Sequence, residues 1–123
     1  MRTRTKLAAP LIAVALAGAV VADRPPLMQR LNIAQQDRLA KWLANKQEFT
    51  THRDDIKIES QLVATIAEII GRDGYEFWDD ATYAKLAREL KQGGAELAAA
   101  TETNNYDQAR QALARTTKAC ADC

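Results

Sequence analysis

From Tyr83 to Thr101 one side of the chain is written in helical spacing. Tyr83, Leu86, Leu90, Gly94, Leu97 and Thr101 step by 3, 4, 4, 3 and 4. A strand alternates every second residue, whereas this spacing gathers a narrow apolar seam along one side of a helix. Such a seam is stable only when it is buried against other helices. The segment therefore commits the fold to helices packed on helices.

Three more segments supply the partners. Pro25-Pro26 suit a helix start, because proline lacks the N–H that is orphaned there. After them Leu27, Met28, Leu31, Ala34, Leu39, Trp42 and Leu43 recur at helical spacing, and this first helix is expected to end between Asn45 and Phe49. Residues 50–55 form a polar connector with cap candidates Thr51 and Asp54. A second helix is expected over residues 55–70. Its face is Ile56, Val63, Ile66 and Ile70, widened by Leu62 and Ile69, with Gly71 and Gly74 as stops. Its β-branched content makes a strand at residues 66–70 the competing reading. Residues 72–79 form a connector carrying Tyr75, Phe77 and Trp78, and Asp79 or Asp80 caps the third helix. Asn104-Asn105 is a turn signal. The fourth helix reads Tyr106, Ala109, Leu113, Thr116 or Thr117, and Cys120.

With aromatic residues at 6% and charged residues at 27%, composition agrees with helices and disfavours a β-sandwich. The expected fold class is all-α, an antiparallel up-down-up-down four-helix bundle. Gly93-Gly94 interrupts the third helix at a cost of about 1 kcal/mol per glycine against alanine. Either something approaches the backbone closely there, or the helix is merely softened.

The N-terminus reads as an export signal. Arg2, Arg4 and Lys6 precede an uncharged apolar stretch from Leu7 to Val21, and Val20-Val21-Ala22 places small or β-branched residues before Asp23. The expected division is a signal peptide at 1–22 and a single domain at 23–123, with cleavage after Ala19 as a variant and an uncleaved anchor as the alternative. A signal-cleaved chain has no further stable membrane insertion. Export points to a periplasmic location, where cysteines keep disulfides or receive covalent cofactors. A formal net charge of +1 carries no nucleic-acid footprint.

The chemistry-bearing residues close the sequence: Cys120-Ala121-Asp122-Cys123. Three positions apart on a helix, the two sulfurs lie on one side, and the periodicity puts Cys120 on the apolar face. Four readings compete. A thioredoxin-type dithiol normally opens a helix after a strand. A zinc site needs about four ligands, and His52 is the one available nitrogen. A structural pair has no chemistry. Covalent haem is held by two thioethers in C-x-x-C-H.

The stretch from Trp78-Asp79 through Tyr83, Leu86-Ala87-Arg88-Glu89-Leu90, Glu96-Leu97-Ala98-Ala99-Ala100, Tyr106-Asp107 and Leu113 to Lys118-Ala119-Cys120-Ala121-Asp122-Cys123 resembles cytochrome c′, the class II c-type cytochromes. The first two helices match that family only in length and pattern. The resemblance implies a four-helix bundle with haem c attached covalently at Cys120 and Cys123. The axial histidine of the family motif is expected at the position after Cys123. The family's distal wall falls on the first helix. There Met28 is the candidate sixth iron ligand, which would raise the reduction potential, and Leu31 one turn on is the candidate blocker. Both also read as plain core residues. Arg24 and Arg30 are candidates for pairing with haem propionates, against an ordinary solvated reading. His52 reads as a solvated loop residue.

The expected function is one-electron transfer, or binding of a small gas such as NO or CO, with a redox partner protein or the gas as partner. The aromatic connector is an alternative partner or dimer surface, so a homodimer stays open. No Ser-His-Asp set, phosphate loop or paired-carboxylate site is present, and a haem peroxidase lacks its distal His-Arg pair, so no enzyme is expected. The rival from another class is a haem-free exported helical bundle that binds or scaffolds.

Overall fold

The computed structural model describes residues 26–123, and every regular element among them is helical. The expected signal segment at 1–22, its cleavage site and Arg24 lie outside the described residues. The elements are α1 (Pro26–Asn32), a π-helical segment (Ile33–Leu39), α2 (Ala40–Trp42), α3 (Lys46–Thr51), α4 (Arg53–Ile70), α5 (Ala81–Glu102) and α6 (Tyr106–Asp122). Among the described residues no helix is long and apolar enough to cross a membrane.

The first rod differs from the regular helix that the spacing predicts. Leu31, Gln35, Leu39 and Leu43 are all buried and all four apart. Steps of four overshoot a turn of 3.6 residues by about 40° each. The wider π turn absorbs that overshoot and keeps these residues on the core side. Gln35, buried at the middle of the stripe, donates to Thr117 Oγ1 on α6 at 3.2 Å.

The rod ends at Trp42, earlier than expected, and the polar connector is largely helical. Asn45 is the reason. Its side chain accepts the Glu48 N–H at 2.8 Å and starts α3. Buried Phe49 then fixes that short helix to the core. α4 starts at Arg53, with His52 at its N-cap and no cap bond from Thr51 or Asp54. The Ile66–Ile70 stretch is helical, because Ile66, Ala67 and Ile70 all find burial there. Gly71 closes α4 as expected, Asp80 caps α5 through the Tyr83 N–H, and Asn105 caps α6 through the Gln108 N–H.

Contacts between α4 and α5 run in opposite directions along the two helices. Arg53, at the start of α4, donates to the Thr101 and Glu102 carbonyls at the end of α5. Lys57 pairs with Glu102 at 3.3 Å, and Lys91 pairs with Glu68. Arg53 thus satisfies carbonyls left open by the helix end and sits where the helix dipole is negative. On its other side α5 meets α6, where Arg115 bonds Glu96 at 2.8 Å and Gln92 at 3.0 Å.

Gly93 and Gly94 serve these two contacts, one each. A Cβ on Gly93 would stand 2.6 Å from Thr116 Cγ2 of α6, and a Cβ on Gly94 would stand 3.0 Å from the Ser60 O and Ala64 N of α4. Close approach, and not softening, is therefore the role of this pair.

The first rod joins the other helices through side chains. Arg30 and Arg38 both reach Glu59 of α4, at 2.6 and 3.4 Å. Trp42 stacks on His52 at 5.2 Å, and the Tyr106 hydroxyl donates to the Leu43 carbonyl at 3.1 Å. Leu39, Leu43, Phe49, Ile56, Val63 and Leu97 form the driest part of the core.

Candidate functional site

At the end of the molecule away from Phe49, the helices leave a cavity of about 410 Å³. α1 contributes Met28 and Leu31, and α6 contributes Ala119, Cys120 and Cys123. Ile70 closes α4 against it, and Tyr83, Leu86, Ala87 and Leu90 come from the first turns of α5. The connector after α4 adds Tyr75, Glu76 and Phe77. Apolar stripes of four segments thus end around one space, and the only sulfur donors of α6 sit on its wall.

Both cysteines are free thiols, Cys120 half-buried and Cys123 exposed. Burial, and then the nearby Cys123, push the Cys120 thiol up to about 11. Burial also raises Cys123. A redox dithiol needs the opposite, a thiolate favoured by a helix N-terminus or a cation. These thiols close a helix in apolar surroundings and stay protonated at neutral pH.

Tyr83 follows the same logic. Burial first, then Cys123, Tyr75 and Glu76, push its hydroxyl up to about 12. That hydroxyl is buried with no hydrogen-bond partner among the described residues. The Phe77 ring tilts against the Tyr83 ring at 6.0 Å.

Four of the residues expected at a site therefore meet: Met28, Leu31, Cys120 and Cys123. Arg30 does not. Its guanidinium is held by Glu59, a carboxylate only 5% exposed, and it lines no part of the cavity. The pull of a buried carboxylate, which also draws Arg38 at 3.4 Å, explains the difference. His52 is also elsewhere, stacked on Trp42 and flanked by Glu48 at 3.5 Å and Asp55 at 3.4 Å. No group of three or more His, Cys, Asp or Glu side chains among the described residues is arranged to hold a metal. The zinc reading loses its nitrogen donor on this geometry.

The sequence reading missed the part played by the connector. Tyr75, Glu76 and Phe77 line the cavity, and Phe77 holds a φ of +64°. A bulky side chain in that left-handed region is strained by on the order of 1 kcal/mol or more. A run of aromatics between glycines and a helix cap was the available signal.

A covalent haem would need a wide apolar space with two thiols on its wall. The volume is within the roughly 300–1,000 Å³ of small-molecule and cofactor pockets, and the lining is predominantly apolar. Two protonated thiols, a thioether and a leucine on this wall suit the group. Glu76 is the one charged lining residue, so the carboxylates of a haem find no cation on this wall. The lining thus has the apolar character that the ring and its attachment would need, and holds no cation for the carboxylates.

No protein-family model, curated protein or solved structure matches this chain.

Proposed function

We propose that the chain is an exported, periplasmic haem protein of the cytochrome c′ kind, acting in one-electron transfer or in binding a small gas such as NO or CO, and not as an enzyme. In this reading the first rod, α4, α5 and α6 form an antiparallel up-down-up-down four-helix bundle. The opposed contacts of α4 with α5 support that arrangement, as do the pairs Gln35–Thr117 and Tyr106–Leu43 between the first rod and α6.

One observation carries the reading: a single apolar cavity is lined by Met28 and Leu31 from the start of α1 and by Cys120 and Cys123 from the end of α6. Cys120 and Cys123 would hold the haem as two thioethers. Haem iron, when bound, supplies a one-electron couple and an open or exchangeable coordination position. The chain's residues do the rest. Burial keeps both thiols protonated and slow to oxidise before attachment. Leu86, Ala87 and Leu90 exclude water from one face of the cavity, and low local polarity tunes the potential. Met28 would offer a soft sulfur to the iron, or, with Met28 turned away, Leu31, 5% exposed, would restrict access.

The test is covalent retention. Expressed with a haem-maturation system and with a histidine codon after Cys123, the protein is expected to keep its haem through acid-acetone extraction. Complete extraction would sink this reading and return the chain to a haem-free helical binding module.

A further inference from the structure

We propose that the connector between Gly71 and Asp80 is a strap that closes over the filled cavity, with Phe77 turning inward as the residue that covers the occupant. The inference rests on the haem reading for what fills the cavity.

Phe77 lines the cavity and is nevertheless 61% exposed, and its neighbour Trp78 is 41% exposed. Large aromatic side chains left that open beside an apolar space are poorly placed. The Phe77 backbone is also strained, at a φ of +64°. One residue therefore combines backbone strain with apolar exposure at the rim; an inward turn buries the ring, and one that carries the backbone out of the left-handed region also relieves the strain.

The strap has the parts such a movement needs. Gly74 holds a φ of +92°, which suits glycine, and a Cβ built there would meet nothing within 4 Å, so no neighbour hinders a backbone turn at this point. Gly71 ends α4 at one side, and the Asp80 cap on the Tyr83 N–H fixes the other. Tyr75 packs against the core and acts as the anchor. Short turns, Tyr75 N–H to Arg72 O, Trp78 N–H to Tyr75 O and Asp80 N–H to Phe77 O, hold the aromatic part, with no longer run of helical bonds among them. Gating segments are drawn from such weakly held stretches.

Chymotryptic cleavage of the full chain, haem-free and haem-loaded, tests this. Cleavage after Phe77 and Trp78 reads the strap, and cleavage after Trp42, at the turn before α3, reads general stabilisation. Loading is expected to slow strap cleavage about tenfold more than cleavage after Trp42. Phe77→Gly suits the positive φ and leaves the fold intact. In that variant the loaded strap is expected to be cut after Trp78 nearly as fast as the haem-free one, with haem still covalently attached. Equal slowing at the two sites, or full protection of the loaded Phe77→Gly strap, overturns the strap while the haem reading stands. A parent that carries no covalent haem overturns both.

Discussion

Gly93 and Thr116 touch so closely that a Cβ on the glycine would lie 2.6 Å from the threonine methyl. Alanine at 93 gains about 1 kcal/mol of helix propensity. It also forces apart two helices already in contact, at a cost of about 1–3 kcal/mol. Gly93→Ala is expected to lower the urea midpoint. Thr116→Ser removes the methyl and keeps the hydroxyl that donates to the Leu113 carbonyl at 2.8 Å. The double variant is expected to recover most of the loss, and a double-mutant cycle in urea measures the coupling.

Gly94 offers no such rescue. The atoms facing it are the Ser60 carbonyl and the Ala64 N–H, which are backbone and cannot be trimmed. Gly94→Ala is expected to cost about 2 kcal/mol or more by the same denaturation measurement, whatever stands at Thr116.

Glu59 draws two arginines. Glu59→Gln leaves Arg30 and Arg38 without their counter-charge, and a fully buried pair broken this way costs about 3–5 kcal/mol. Both arginines are partly in water, with side chains 33% and 46% exposed. The expected loss is therefore smaller, about 2 kcal/mol. Arg38→Ala alone is expected to cost less than half of that, since Arg30 holds the shorter contact. Thermal melts of the three proteins check the order.

Alkylation reads the thiols. With its pKa near 11, Cys120 has little thiolate at pH 8, and Cys123 is the more exposed of the two. Iodoacetamide is expected to modify Cys123 first, and Cys120 more than about tenfold slower than in urea. A thiol whose folded pKa is raised favours the folded state below its unfolded value of about 8.5. That contribution is lost as pH rises through about 11. Haem-free protein is therefore expected to lose stability between about pH 9 and 11, and Cys120→Ala to flatten that slope.

Met28 and Leu31 are separated by spectroscopy of the haem-bearing protein. If Met28 ligates, the ferric parent is low-spin, and Met28→Ala converts it to high-spin and opens a site for CO or NO. If Leu31 faces the iron, the parent is already five-coordinate, and Leu31→Ala speeds ligand access. Identical spectra and binding rates in all three proteins would remove both residues from the distal wall.

Helix content and the residues of the core seam were legible, because apolar spacing records which side of a helix is buried. Leu90, Gly94, Leu97 and Thr101 are all buried as the spacing requires, and of Asp79 and Asp80 it is Asp80 that caps α5; Asn105, expected only as part of a turn, also caps α6. The first rod was read less well. Spacing assumes 3.6 residues per turn, and the steps of four from Leu31 to Leu43 are accommodated by π winding, which no local propensity encodes. α3 is masked by its polar surroundings, which read as a connector, although Asn45 and Glu48 stand at N-cap and N3 spacing. Met28 is expected near the cysteines if the first and last helices are opposed, and Met28, Leu31, Cys120 and Cys123 do line one cavity. Arg30 was misplaced because Glu59 is distant in sequence, and a buried carboxylate on another helix leaves no mark beside the arginine.

The π-wound segment has a consequence for how this chain tolerates change in length. A π turn holds one more residue than an α turn, so the first rod carries slack within Ile33–Leu39. Deleting one residue there allows the winding to tighten, with Leu31 and Leu43 still on the core side. α5 has no comparable reserve. Its glycines face α4 and α6 at fixed heights, and a one-residue deletion ahead of them rotates both away from the backbones they fit. Single-residue gaps are accommodated in the rod that supplies one wall of the cavity, and are excluded from the helix that the other two grip.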